Sequence, residues 1–119
     1  MSDIRLLHNP KCSKSRGALD HLQARGADLE VIRYLDQPPS REQLEHIVDH
    51  LDVPPGELVR KDAYFNELGL DASEYTTRDT VIDLLVLHPR LMERPVAIKG
   101  DEVVLGRPPE KVLALLDDD

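Results

Sequence analysis

The sequence predicts an α/β fold built on a four-stranded mixed sheet, and three observations lead to it. Short apolar runs of strand length lie near both ends of the chain. A helical pattern separates the first two runs, and a hairpin pattern joins the last two. Residues 36–92, in between, show helical periodicity and no strand signal. The expected order is β-α-β, a helical insertion at about 36–92, then β-β-α, in one domain spanning 1–119.

Each element has its own reason. Ile4-Arg5-Leu6-Leu7 reads as the first strand. The helix after it places Ala18, Leu19 and Leu22 on one face and closes at Gly26. Leu29-Glu30-Val31-Ile32-Arg33-Tyr34 follows as the second strand, and so short a strand–helix–strand unit favours a parallel pair. Ser40 and Gln43 have capping-box spacing, and Leu44, Ile47, Val48 and Leu51 then form an apolar stripe. Pro54-Pro55-Gly56 ends that helix. Glu57-Leu58-Val59-Arg60 and residues 63–68 read as short helical pieces, the second stopped by Gly69.

Thr76 or Thr77 caps the next helix. Its residues Val81, Ile82, Leu84, Leu85, Val86 and Leu87 are apolar nearly all round, which predicts a well-buried helix ended by His88-Pro89. Val96-Ala97-Ile98-Lys99, a Gly100-Asp101 turn and Glu102-Val103-Val104-Leu105 form the hairpin. Gly106-Arg107-Pro108-Pro109 leads into a last helix through Val112, Leu113 and Leu116, and Asp117-Asp118-Asp119 reads as a solvated tail. This order matches a thioredoxin-like fold with a helical insertion. In such a fold the loop after the first strand lies beside the loop before the hairpin, which would bring Cys12 near Arg94-Pro95.

Composition narrows the function. The chain has 119 residues and only 3% aromatics, so its core must be aliphatic. A net charge of −8 opposes general binding to nucleic acid or to an anionic membrane. No apolar run has membrane-spanning length, and Met1-Ser2-Asp3-Ile4 lacks the basic flank and apolar segment of a signal peptide. One cysteine rules out a disulfide within the chain. A cytoplasmic protein is expected.

That cysteine is the chemical focus. Cys12 lies in the strand-to-helix loop His8-Asn9-Pro10-Lys11-Cys12-Ser13-Lys14-Ser15-Arg16, at or beside a helix N-terminus. Backbone N–H groups and the positive end of the helix dipole favour negative charge there, and the thiolate is the reactive form of cysteine. Residues 1–16 carry Arg5, Lys11, Lys14 and Arg16 against Asp3 alone, a basic patch on an acidic protein. A lone cysteine is often a small buried hydrophobe, but proline, lysine and serine neighbours do not suit a core position. His46 and His50, four apart on a helix, could face one metal ion. Glu42, Glu45 and Asp49 beside them favour a solvated face, and no metal or bound cofactor is expected.

The loop His8–Arg16 resembles the active-site loop of glutaredoxin-coupled arsenate reductases. The resemblance continues through Tyr34-Leu35-Asp36, Pro38-Pro39-Ser40, Leu58-Val59-Arg60-Lys61, Met92-Glu93-Arg94-Pro95 and Gly106-Arg107-Pro108-Pro109, over essentially the whole chain. It implies that Cys12 is the nucleophile, with His8 and Ser15 close to the thiolate. It implies that Arg60, Arg94 and Arg107 bind the oxyanion, and that Pro95 is a cis-proline facing the cysteine. Arsenate would be the substrate, glutathione the co-substrate and glutaredoxin the protein partner. Arsenate carries about two negative charges near neutral pH, as phosphate does. Guanidinium groups neutralise such a load through forked hydrogen bonds and stay charged throughout.

Read singly, the residues have plainer roles. Arg60 alone would be a surface arginine, Pro95 a trans-proline opening a strand, Ser15 a first-turn cap and His8 a strand-end hydrogen-bonder. Two other functions stay open. One is a glutathione-linked thiol oxidoreductase without arsenate activity, as in the arsenate-reductase-like branch of undefined substrate. The other is a redox-regulatory binding protein of the Spx type, although those carry a C-x-x-C switch where Ser15 stands here.

Overall fold

Strand β1 (Ile4–His8) forms the spine of a four-stranded sheet of order β2-β1-β3-β4, seen in a computed structural model that describes residues 3–116. The Asp117-Asp118-Asp119 tail lies outside the described residues. β1 pairs in parallel with β2 (Leu29–Arg33), from Ile4 opposite Leu29 to His8 opposite Arg33. It pairs antiparallel with β3 (Val96–Lys99), which forms the hairpin with β4 (Glu102–Leu105). The arrangement is thioredoxin-like and mixed, as the element order implies.

Alternation along the strands divides the core between the two faces of the sheet. Leu7, Val96, Ile98, Val103 and Leu105 face the insertion and pack with Leu44, Ile47, Ile82 and Leu85. Ile4, Leu6, Ala97 and Val104 face the other way and pack with Ala18, Leu22, Val112 and Leu115. Helix α1 (Ser13–Ala24) covers this second face with buried Ser15, Ala18 and Leu22, at spacings of three and four residues. Leu22 is fully buried, so Leu22→Ala would cost about 2–5 kcal/mol.

Helix α2 (Arg41–His50) begins with the expected capping box of Ser40 and Gln43. The chain then makes a 3-10 turn at Pro55–Leu58, helix α3 (Ala63–Glu67) and a second 3-10 turn at Ala72–Glu74. Helix α4 (Arg78–Leu87) takes its cap from Thr77, with Thr80 completing a capping box. The all-round apolar pattern of α4 does not make it buried on every side. Val81, Ile82, Leu84 and Leu85 are buried, while Val86 and Leu87 are 42% and 74% exposed, because only one flank packs against the rest of the insertion.

Two other segments depart from the sequence reading. The last element, Pro109–Leu116, is a 3-10 helix, and it buries Val112 and Leu115 at the three-residue spacing natural to that turn. Leu113 and Leu116 remain half-buried. Arg60 is not helical either. Val59 forms an antiparallel bridge with Met92, and Leu51 a parallel bridge with Val103, so the insertion makes strand-like pairings. Among the described residues, no helix is long and apolar enough to cross a membrane.

Candidate functional site

β1 delivers His8 and Asn9, and the chain turns through Pro10-Lys11 so that Cys12 becomes the N-cap of α1. The Cys12 N–H donates to Asn9 O at 3.0 Å, and Cys12 O accepts from Arg16 N at 3.0 Å. No side chain caps this helix, so its first N–H groups face the sulfur. Burial pushes the Cys12 thiol up. The Ser15 backbone, the Arg94 side chain and the Lys14 backbone outweigh it, and the thiol lies below its ordinary value. Cys12 is partly exposed, as a working nucleophile requires.

Ser15 does more than end a turn. It is fully buried, and its Oγ accepts from Asn9 N at 3.0 Å and lies 2.7 Å from His8 Nδ1. Which of Ser15 Oγ and His8 Nδ1 donates in this contact follows the ring tautomer. Burial lowers the His8 pKa, and the charges of Arg33 and Arg16 lower it further, against the opposing Ser15 contact. Asn9 Oδ1 accepts from Lys11 N at 3.0 Å and fixes the loop.

The arginines arrive from three segments. Arg94 precedes β3, and the Arg94–Pro95 peptide is cis; Arg107 follows β4, with a second cis peptide to Pro108. Arg107 Nη1 donates to Arg94 O at 2.9 Å and links the two ends of the hairpin. Arg60 comes from the insertion. Its N–H donates to Leu91 O at 2.7 Å, and Glu93 N–H donates to Leu58 O at 2.6 Å. The two backbone segments therefore hold Arg60 beside residue 93. Of the three arginines, Arg94 is the one that acts on the Cys12 sulfur; Arg107 reaches the Arg94 backbone carbonyl, and Glu93 joins Arg107 to Arg60.

Three neighbours were not singled out in the sequence. Glu93 Oε1 lies 3.1 Å from Arg60 Nη1 and 3.4 Å from Arg107 Nη1. Asp62 Oδ2 lies 3.2 Å from Arg60 Nε. Burial alone would lower the Arg60 pKa, but Asp62 and Glu93 raise it. The third is Tyr34, fully buried at the end of β2. Its hydroxyl and the buried Nε of Arg94 have no partner in full hydrogen-bond geometry among the described residues, although Asn9 and Arg94 lie close to the hydroxyl. Burial raises the Tyr34 pKa, while Arg94 and Asn9 pull it back. The sequence signals were adjacency, since Glu93 precedes Arg94 and Asp62 follows Arg60 by two, and the place of Tyr34 and Glu93 inside segments that carry the family resemblance.

A cavity of about 480 Å³ opens beside the cysteine loop, lined by His8, Asn9, Tyr34, Asp62, Arg90 and Arg94 among others but not by Cys12, Arg60 or Arg107. Buried donors without partners and a guanidinium wall make it receptive to an anion. A larger groove, about 770 Å³, lies by α2, away from the cysteine loop. His46, His50 and Asp101 also approach one another, with donor atoms within 4.8 Å. His46 Nε2 lies 2.8 Å from Gly100 O and His50 Nδ1 2.9 Å from His46 O, so backbone carbonyls already occupy one nitrogen of each ring.

A thioredoxin-like sheet with a cysteine at the start of its first helix and a cis-proline before the hairpin defines a thiol-bearing class of fold. Within it, the chain belongs to the ArsC family, whose model matches residues 7–115. It is 39% identical over 118 residues to an arsenate reductase of Neisseria meningitidis serogroup A, covering 98% of this chain and 100% of that one. It is 35% identical over 119 residues to an arsenate reductase of Escherichia coli, covering 99% and 84%. A solved arsenate reductase from Vibrio cholerae superimposes with a TM-score of 0.83 at 36% identity, covering 94% of this chain and 96% of that one.

Proposed function

We propose that the protein reduces arsenate to arsenite, with the Cys12 thiolate as nucleophile. The observation that carries this reading is the geometry at Cys12, which opens α1 without a side-chain cap and has the Arg94 side chain beside it, while Arg107 bonds the Arg94 carbonyl and shares Glu93 with Arg60. A guanidinium beside the sulfur, with two more joined to each other through Glu93 a short way off, suits a tetrahedral oxyanion. Full-length similarity to arsenate reductases supports arsenate as that oxyanion.

The sulfur attacks arsenic, an S–As bond forms, and one As–O bond breaks with its oxygen leaving as water or hydroxide. Arg60, Arg94 and Arg107 balance the negative charge that accumulates. Arsenic must then gain two electrons, and the oxidation of two thiols to one disulfide supplies them. This chain contains a single cysteine, with Ser15 at the C-x-x-C position, so the second thiol comes from outside. Glutathione is the natural donor, and glutaredoxin would reduce the resulting mixed disulfide. His8 and Ser15 fix the loop that aims the sulfur, and Pro95 shapes the facing wall. Such thiol chemistry fits the reducing cytoplasm.

The test is arsenate-dependent NADPH oxidation by the purified protein with glutathione, glutaredoxin and glutathione reductase. Turnover should be present in the wild type and lost in Cys12→Ser. A Cys12–glutathione adduct that glutaredoxin reduces, with no arsenate turnover, would replace the substrate in this reading. Full activity of Cys12→Ser would overturn it.

A further inference from the structure

We propose that Glu93 is a built-in anion that occupies the arginine cluster of the empty protein, and that the substrate oxyanion binds by displacing it. This rests on the reading of Arg60, Arg94 and Arg107 as the oxyanion-binding group. A single carboxylate oxygen, Oε1, stands 3.1 Å from Arg60 Nη1 and 3.4 Å from Arg107 Nη1. An oxygen of a bound tetrahedral dianion would seek the same place between two guanidinium groups. The Glu93 side chain is 19% exposed, so part of it borders solvent into which the carboxylate can swing.

Charge gives the argument its direction. Glu93 Oε1 is the carboxylate oxygen that Arg60 and Arg107 share, so a dianion entering with Glu93 in place would meet a like charge where its own oxygen would sit. With Glu93 swung out, that repulsion is gone and both guanidinium groups are released to the guest. Asp62 is a poorer candidate for this role. Its Oδ1 caps α3 by accepting from Phe65 N at 3.1 Å, and its other oxygen holds Arg60 Nε.

Backbone geometry makes the device robust. Leu58–Arg60 and Leu91–Glu93 are joined by two short backbone hydrogen bonds and the Val59–Met92 bridge. The Cα of residue 93 is therefore fixed relative to Arg60, and only the side-chain torsions of Glu93 need change. The competing possibility is a brace, in which Glu93 merely orients the arginines and leaves its place to nothing. The two roles predict opposite signs.

The experiment is calorimetric titration with sulfate, an unreactive tetrahedral dianion, on the wild type and on Glu93→Gln, Arg60→Gln and Arg107→Gln. Removing the resident charge should tighten sulfate binding about fivefold to tenfold in Glu93→Gln, and both arginine variants should weaken it. If the arginine variants weaken binding while Glu93→Gln is unchanged or weaker, Glu93 is a brace and this inference is overturned. If the arginine variants bind sulfate as the wild type does, the oxyanion reading fails and the inference fails with it. Should Glu93→Gln not fold, carbon NMR of the wild-type Glu93 carboxyl decides. Its signal should move to that of a free carboxylate as sulfate saturates the arginine signals, and a stationary signal refutes displacement.

Discussion

Gly106 lies so close to Pro95 that a β-carbon placed on it would stand 2.8 Å from Pro95 Cγ. The proline ring cannot fold away as a long side chain would. Retreat in the other direction is closed, since the same atom would stand 3.0 Å from Val112 Cγ1. Gly106 N also donates to Pro95 O at 2.9 Å, so the two segments are locked at this spacing. Gly106→Ala should therefore destabilise the fold by about 1–3 kcal/mol, as overpacking does. It should also weaken sulfate binding, because Arg94 and Arg107 flank the two residues. Thermal unfolding and titration check this, and an unchanged melting temperature would contradict the contact.

Ser15→Ala separates support from catalysis. The hydroxyl satisfies Asn9 N–H and His8 Nδ1, both buried, so losing it should cost about 1–3 kcal/mol. The thiol should stay reactive, because the Ser15 group that lowers its pKa belongs to the backbone. The expected result is a lower melting temperature with little movement in the pH midpoint of alkylation.

The Cys12 thiol should react with iodoacetamide with a midpoint below that of an ordinary cysteine, and Arg94→Ala should move the midpoint upward. Stability follows with a definite sign. The folded state holds the proton of Cys12 less tightly than the unfolded state does. Relative to Cys12→Ser, the wild type should therefore gain stability as pH rises towards the ordinary thiol range. That gain should disappear as pH falls through the lowered midpoint. Denaturant unfolding of both proteins across that window provides the check.

Tyr34→Phe should raise the melting temperature of the unliganded protein, by an amount reflecting about 1–3 kcal/mol for relieving a buried unpartnered hydroxyl. The same change should reduce the thermal shift produced by sulfate, if the hydroxyl donates to a bound anion beside Arg94. A fall in melting temperature without ligand would show that the hydroxyl is already satisfied.

What the sequence disclosed depended on how local each cause was. Period-two alternation in β1, β3 and β4, the Ser40–Gln43 box and the stripe on α2 are set by near neighbours, and all appear where the pattern places them. The position of Cys12 at the start of α1 is equally local. Helix type in the last segment was not legible, because Val112, Leu113 and Leu116 also satisfy α-spacing and only packing on α1 selects the tighter turn. Exposure of Val86 and Leu87 depends on which flank of α4 finds neighbours. The ties from Glu93 to Arg60 and Arg107 join residues from separate segments. Carboxylates at 62 and 93 look like ordinary surface charges until the fold closes.

Arg60 belongs to the insertion, whereas Arg94 and Arg107 belong to the hairpin. A guest gripped by all of them would act as mortar in a seam between two blocks of the molecule. Its affinity would then gauge how firmly those blocks are seated, so a methyl group lost from Ile82 inside the α4 core could register as slackened capture at the sulfur.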